Sequence, residues 1–304
     1  MQILNAGETA RILPYDKLVP AIARAAQQLA NGEINAPDRL VVGMEGGNVL
    51  LCMPAVASDV SVTKLITVHG NNAQRGLPAI QGEVIVFDTA SGQRRLLLDG
   101  PTVTARRTAA VTLHGISLLA PATPESALLI GAGVQAAAHA EALSAYFGIR
   151  RFRISSRNIA GAEAFCASLR AQHPGVSAEA MTMEALADAC QDMDLVIALT
   201  TATSPVVPEQ LPPRTMAIGV GAFKPQMAEL PAALLHARSV FVDDLAGAQH
   251  EAGDLLRAQV DWSKVSNLAA AARTPSSHAM APVLKTVGHA AWDLAAARVA
   301  IGTT

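Results

Sequence analysis

A glycine-rich turn at residues 131–136 constrains the fold of this chain more than any other feature. Its sequence, GAGVQA, fits the pattern G-x-G-x-x-G/A, follows the apolar run ALLI and opens an alanine-rich helical segment. In that setting Gly131 permits a tight turn, Gly133 lets a pyrophosphate approach closely, and Ala136 lets the helix pack on the strand. The turn therefore predicts a dinucleotide site with the phosphates at a helix N-terminus. The alternative is a tight turn in a sheet that binds no cofactor.

The pattern on either side of this turn predicts two regions. From residue 126 onward, apolar runs such as FRISSR, LVIALTT, TMAIGVGA and SVFVDD alternate with helical segments, which is typical of βαβ units and a parallel sheet. Residues 38–89 carry short β-rich runs separated by turns, which favours a mainly antiparallel sheet.

Helical periodicity appears at both ends of the antiparallel region. Residues 7–30 have helical spacing, but Pro14 and Pro20 argue for a break or for two shorter helices. Residues 101–120 are predicted to form a helix that Pro121 ends, and residues 282–302 to form one final helix that returns to the first domain. We place the domain boundary near residue 121.

Composition excludes several classes of protein. The 304 residues carry 23 basic and 25 acidic side chains, for a net charge of −2, which leaves no basic footprint for nucleic acid. No window reaches the roughly 18 consecutive apolar residues of a membrane helix, and the start turns polar too early for a secretory signal peptide. The three cysteines and eight histidines show no metal-ligand spacing. We therefore expect a cytoplasmic protein without a metal.

The residues that would meet the cofactor ribose favour one nicotinamide cofactor over the other. An NAD site needs an acidic residue about 20 residues after the glycine turn, but here the predicted strand ends in Ser155, Ser156 and Arg157. Hydroxyls and a guanidinium suit a 2′-phosphate. The sequence thus predicts NADP(H) in preference to NAD(H), unless Arg157 is only a solvated residue at a helix start.

These motifs together resemble the ornithine cyclodeaminase/mu-crystallin family over nearly the full length of the chain. The matching stretches are PDR (37–39), MPA (53–55), TKLIT (63–67), TARRTAA (104–110), GAGVQA (131–136), EL (229–230), EAG (251–253) and KTVG (285–288) with Asp293.

The resemblance implies an α/β subunit of two domains. An NAD(P)-binding Rossmann domain would span residues 122–279, and a mainly antiparallel α+β domain for substrate binding and dimerisation would comprise residues 1–121 and 280–304. The implied activity is hydride exchange at a carbon that bears nitrogen, on small amino or imino acids. A homodimer is the expected assembly.

Site residues follow from the same resemblance. Arg39, Lys64 and Arg107 match the substrate-binding positions, and Lys64 and Arg107 are expected to be catalytic, because cations of this kind hold a substrate carboxylate. We read Arg106 as facing solvent or the cofactor. The expected cofactor-binding residues are Thr108, Gly131, Ala132, Gly133, Val134, Gln135, Ser155, Ser156, Arg157, Val220, Gly221, Val287 and Gly288.

One departure from the family narrows the expected reaction. Ornithine cyclodeaminases proper carry an aspartate where this chain has Phe223, and a phenyl ring neither pairs with an ammonium nor acts as a base. The prediction is therefore reduction of a cyclic ketimine, pyrroline-2-carboxylate or piperideine-2-carboxylate, with Phe223 against the substrate. The alternatives are ornithine cyclodeaminase, an enzyme like alanine dehydrogenase, and a non-catalytic protein that binds NADP(H) and a ligand.

Overall fold

The computed structural model describes residues 1–274 and 279–302, apart from the side chain of Ala73. Contacts between Cα atoms divide the chain into two units. Unit 1 comprises Met1–Ala110 and His289–Thr304, and unit 2 comprises Val111–Gly288. The predicted boundary near residue 121 follows the end of a helix, whereas this division falls within that helix. The functional domains themselves stay a prediction.

Unit 1 is built on a six-stranded sheet. Its elements in chain order are β1 (Gln2–Leu4), α1 (Ala6–Arg11), α2 (Tyr15–Ala30), β2 (Leu40–Gly43), β3 (Val49–Val56), β4 (Val60–Val68), β5 (Ile80–Asp88), β6 (Arg94–Asp99) and the start of α3 (Gly100–Leu119). The strand order is β1-β6-β5-β4-β3-β2, and every pair is antiparallel except β1 with β6. The antiparallel sheet predicted over residues 38–89 is confirmed.

The break predicted in the first helical segment is also present. Pro14 is the N-cap of α2, where its fixed φ suits the start of a helix. Pro20 lies inside α2 and does not end it. The buried side of α2, which includes Leu18, Ile22 and Ala25, supplies the apolar stripe that an amphipathic helix needs to pack on a core.

Unit 2 is built on an eight-stranded parallel sheet. It contains β7 (Ser126–Ile130), α4 (Val134–Phe147), β8 (Arg151–Ser155), α5 (Ile159–Gln172), β9 (Ser177–Met181), α6 (Leu186–Ala189), β10 (Leu195–Ala198), β11 (Met216–Gly219), α7 (Ala232–Ala237), β12 (Val240–Val242), α8 (Leu245–Glu251), α9 (Gly253–Ala258), β13 (Ser266–Asn267), α10 (Leu268–Arg273) and β14 (Val283–Lys285). The order is β13-β12-β14-β11-β10-β7-β8-β9. The predicted α/β fold with a Rossmann-type parallel sheet is confirmed.

The prediction of a single helix over residues 282–302 is wrong. Residues 283–285 form β14, which pairs with β11 and β12 in the middle of the sheet, and only Ala290–Ile301 is helical (α11). Gly288 has φ +81° between the two elements, and His289 caps α11. The apolar run of β14 is buried, and a short buried strand cannot be told from a helix turn by periodicity.

Helix α11 belongs to unit 1, where it packs on α2 and on strands β3 and β4. It is buried along most of its length, including Trp292 at 1% exposure. Across the described ranges 1–274 and 279–302, the helices are too short or too polar to pass through a lipid bilayer.

Candidate active site

A cavity of about 340 Å³ opens in unit 2 at the carboxyl ends of β7, β8 and β10, the edge where open α/β sheets bind ligands. Five of the predicted cofactor residues line it, namely Gly131, Ala132, Gly133, Ser156 and Arg157. The other lining residues are Ile130, Met183, Leu199, Thr200, Thr201, Ala202 and Val206. Sequence reasoning did not find the pair Thr200 and Thr201, although its position one residue after the buried strand LVIA was a usable signal.

The glycine turn has the geometry that a dinucleotide requires. Gly131 has φ +121°, and a Cβ there would lie 2.7 Å from the carbonyl oxygen of Leu199, so a larger residue cannot occupy this turn. Gly133 is the N-cap of α4, which has no side-chain cap, and a Cβ on Gly133 would meet nothing within 4 Å. The first turn of α4 thus offers backbone N–H groups beside open space, which fits a pyrophosphate.

The other predicted cofactor residues have different surroundings. The Ser155 hydroxyl is buried and contacts Met183 Sδ at 3.3 Å, and Val134 is 73% exposed at the start of α4. Val287 and Gly288 donate their N–H groups to Asp243, each at 2.9 Å. The remaining members of the predicted set are Thr108 on α3, Gln135 on α4, and Val220 and Gly221 after β11.

A cluster of charges lies buried in unit 1. Lys64 on β4 and Arg107 on α3 both contact Asp293 on α11: the Lys64 Nζ lies 2.9 Å from Oδ2, and the Arg107 Nε lies 3.2 Å from Oδ1. Lys64 is 1% exposed, Arg107 is 7% exposed and Asp293 is fully buried. The structure therefore brings together the two predicted catalytic residues, on a carboxylate that sequence reasoning matched to the family without giving it a role.

The electrostatics of this cluster lower the pKa of Lys64 to about 8. Burial is the main cause, and the positive charges of Arg107 and Arg39 add to it, while Asp293 opposes the shift. Arg39, which is half-buried just before β2, is thus near enough to act on Lys64. Three cations around one carboxylate leave excess positive charge, which suits an anionic ligand.

Arg106 does not match its prediction as a residue facing solvent or the cofactor. Its Nε donates to the carbonyl oxygen of Leu13 at 2.8 Å, and its guanidinium lies 4.2 Å from the centre of the Tyr15 ring. Successive residues of a helix point about 100° apart, so Arg106 packs on α2 while Arg107 reaches Asp293.

Phe223, the predicted substrate contact, is half-buried in the loop after β11 in unit 2. The Lys224 Nζ lies 5.7 Å from the centre of its ring, so the neighbouring charge is positive. Two acidic residues, Asp243 and Asp244, follow β12. Asp244 caps α8, and Asp243 holds the backbone of residues 287–288.

Comparison with known proteins identifies relatives along the whole chain. Residues 2–300 match the model of the ornithine cyclodeaminase/mu-crystallin family. A Delta(1)-pyrroline-2-carboxylate reductase 2 of Burkholderia ambifaria is 46% identical and covers 97% of this chain and 94% of its own length. A Delta(1)-pyrroline-2-carboxylate/Delta(1)-piperideine-2-carboxylate reductase of Azospirillum brasilense is 45% identical and covers 98% and 94%.

A solved structure shares the fold. The Thermococcus litoralis Delta(1)-pyrroline-2-carboxylate reductase, in complex with NADH and L-proline, has a TM-score of 0.90 at 24% identity. The similarity covers 99% of this chain and 97% of that one.

Removal of the Asp293 charge tests the buried cluster. We expect Asp293→Asn to lower the free energy of unfolding of unit 1 by roughly 3–5 kcal/mol, because two buried cations lose their counter-charge. Urea unfolding followed by the fluorescence of Trp292, in a Trp262→Phe background, measures this loss. Asp88→Asn is the control, since its ion pair with Arg95 is exposed and 3.7 Å long, and exposed ion pairs contribute little to stability. Equal losses in the two variants would contradict the prediction.

Proposed function

This chain belongs to the ornithine cyclodeaminase/mu-crystallin family, and we propose that it reduces small cyclic ketimines with a nicotinamide cofactor. The proposed substrates are Δ1-pyrroline-2-carboxylate and Δ1-piperideine-2-carboxylate. The observation that carries the proposal is the buried pair of Lys64 and Arg107, which share one counter-charge and have Arg39 close by. The names of the relatives at 46% and 45% identity agree with this substrate class.

The proposed roles in unit 1 follow from the charges. Asp293 contacts the Nε side of the Arg107 guanidinium, and the terminal nitrogens are the ones that would bind a substrate carboxylate in a bidentate manner. Arg39 would add a second positive charge to this carboxylate-binding site. Lys64, with its lowered pKa, would donate a hydrogen bond or a proton near the imine nitrogen.

The proposed roles in unit 2 concern the cofactor. The first turn of α4 would hold the pyrophosphate through its backbone N–H groups, with Gly131 and Gly133 keeping the approach open. When bound, the reduced nicotinamide supplies a hydride to the C=N carbon. Phe223 would offer an apolar surface to the substrate ring.

A substrate panel tests the proposal directly. We expect either cyclic ketimine to be reduced, with loss of the absorbance of the reduced nicotinamide, and L-ornithine to release no ammonia, because Phe223 stands where cyclodeaminases carry a carboxylate. Ammonia release from ornithine without ketimine reduction would favour the cyclodeaminase alternative. Cofactor binding with no turnover of either substrate would favour the non-catalytic alternative.

Adjacent arginines on α3 provide a matched test of the carboxylate site. We expect Arg107→Ala to lower kcat/KM for the ketimine by about a hundredfold or more, because a buried charged contact to the substrate is lost, and Lys64→Ala to behave similarly. Arg106→Ala should stay within severalfold of the parent, since Arg106 contacts Leu13 and Tyr15. Cofactor affinity should be unchanged in all three. A comparable loss in Arg106→Ala would count against these roles.

The pKa of Lys64 sets an expected pH dependence. Lys64 of the free enzyme loses its proton as pH rises through about 8, so kcat/KM for ketimine reduction should fall across that range. Lys64→Arg, which keeps its charge, should move the fall to higher pH. Initial rates at saturating cofactor measure both profiles, and a value that stays level or rises through this range would rule out the protonated amine as the active form.

We further infer that NADP(H) is preferred to NAD(H). Ser156 and Arg157 both line the cavity, and none of the lining residues within the described part of the chain is acidic. Titration of the fluorescence of NADPH and NADH should give tighter binding of NADPH. Arg157→Ala should weaken NADPH binding by about tenfold or more and leave NADH nearly unaffected, because only the 2′-phosphate loses a charge-assisted contact. Tighter binding of NADH by the parent would reverse the inference.

We also infer a homodimer and a cytoplasmic location. The edge strand β2 exposes Leu40, Val41 and Val42 at 61%, 52% and 46%, and an apolar strand at an open sheet edge suits a second copy of the chain. Its three cysteines are free, as is usual in a reducing compartment.

A further inference from the structure

We propose that Glu229 is a positioning residue for the cofactor cavity, because its carboxylate ties together the loops that follow β10 and β11. Glu229 lies in the second of these loops, between β11 and α7, and outside the set of lining residues. The inference rests on the proposed function, since it assigns a cofactor to that cavity.

The two oxygens of this carboxylate serve different loops. Oε1 accepts hydrogen bonds from the backbone N–H and the hydroxyl of Thr200, at 2.5 and 2.9 Å. Oε2 accepts from the backbone N–H groups of Gly221 and Ala222, at 2.7 and 3.0 Å. Glu229 is fully buried, so water does not compete for these contacts. One side chain therefore fixes the start of both loops.

The loop after β10 reaches the cavity directly. Thr200, Thr201 and Ala202 line it, as does Val206. The Glu229 backbone carbonyl accepts from the N–H groups of Val206 and Val207, at 2.9 and 3.0 Å, so the residue holds this loop at its start and again near its middle. The loop after β10 forms the cavity wall that faces the glycine turn. A displacement of Glu229 would therefore move this wall.

The loop after β11 passes very close to the first. A Cβ added to Gly221 would lie 1.9 Å from the carbonyl oxygen of Thr200 and 2.7 Å from Glu229 Oε1. The backbones can meet at this distance only because residue 221 is glycine. Ala222, which Glu229 also holds, directly precedes Phe223, so the same carboxylate fixes the segment that carries our proposed substrate contact.

A second layer of buried charge holds Glu229 in place. Asp254 Oδ1 accepts from the backbone N–H groups of Glu229 and Leu230, and the Lys285 Nζ lies 3.1 Å from Asp254 Oδ2 and 3.3 Å from the Gly219 carbonyl oxygen. Burial raises the pKa of Glu229, and Asp254 adds to this, whereas Lys285 and the N–H donors oppose the shift. All three side chains are at most 2% exposed.

The chemistry of the contacts requires a carboxylate. An ionised glutamate only accepts hydrogen bonds, and here both oxygens meet donors from the backbone. In Glu229→Gln the amide nitrogen must face two of the four donors, whichever way the amide turns. The change keeps the size of the side chain but releases one of the two loops.

A carboxylate at the amino ends of the strands in the same sheet provides the control. Asp194 precedes β10, and its Oδ2 accepts from the backbone N–H groups of Glu125 and Ser126 and from the Ser126 hydroxyl. Asp194 thus links the amino ends of β7 and β10, whereas Glu229 links the loops that follow the carboxyl ends of β10 and β11. Asp194→Ala loses contacts of the same kind without touching the cofactor edge.

The experiment measures dissociation constants of NADPH by fluorescence titration, together with urea unfolding, for the full-length parent, Glu229→Gln and Asp194→Ala. We expect Glu229→Gln to raise Kd by about tenfold or more and Asp194→Ala to change it by less than about twofold, although both lower stability. If Glu229→Gln does not fold, Glu229→Asp replaces it under the same criterion, because its shorter side chain cannot span both loops.

The outcomes separate this inference from the proposed function. A Kd for the folded Glu229 variant within about twofold of the parent overturns the positioning role, as does an equal rise in Asp194→Ala. If the parent binds neither NADPH nor NADH, the proposed function fails, and this inference fails with it.

Discussion

The burial of Lys64 and Arg107 against the single carboxylate of Asp293 is the constraint on which the first unit depends. Removal of a lysine from water is costly, and here strand β4, helix α3 and helix α11 each contribute one member of the cluster that offsets the cost. The charges in the cluster do not balance, because two cations contact one anion and Arg39 adds a further positive charge from nearby. Our proposed function assigns this excess of positive charge to the binding of a substrate carboxylate.

The second unit has the opposite balance of buried side chains. Two carboxylates, Glu229 and Asp254, are buried with one ammonium, Lys285. Backbone N–H groups of the loops after β10 and β11 donate hydrogen bonds to Glu229 and so stabilise its carboxylate. Both oxygens of Glu229 and the Lys285 ammonium have partners within this network. In our proposals, the buried charge of the first unit binds a ligand, whereas that of the second unit fixes the shape of a binding surface.

Much of the fold could be predicted from local sequence signals. The glycine turn, the period of the strands and Pro14 act within a few residues, and the structure agrees with each. Asp293 was harder to interpret because its partner Lys64 is 229 positions away. Within α11 itself, the one signal was a single acidic residue in a largely apolar helix. Strand β14 was missed because three buried residues have no periodicity of their own, and their neighbours in the sheet determine their conformation.

The place of β14 in its sheet also bears on how the chain acquires its structure. Strands β11 and β12 are not partners of each other, since each pairs with β14, and β14 follows both of them in the chain. The centre of the sheet in unit 2 therefore stays interrupted until β14 has been synthesised and inserted. Long-range parallel pairing of this kind is slow, so β11 and β12 keep unpaired edges until β14 lies between them.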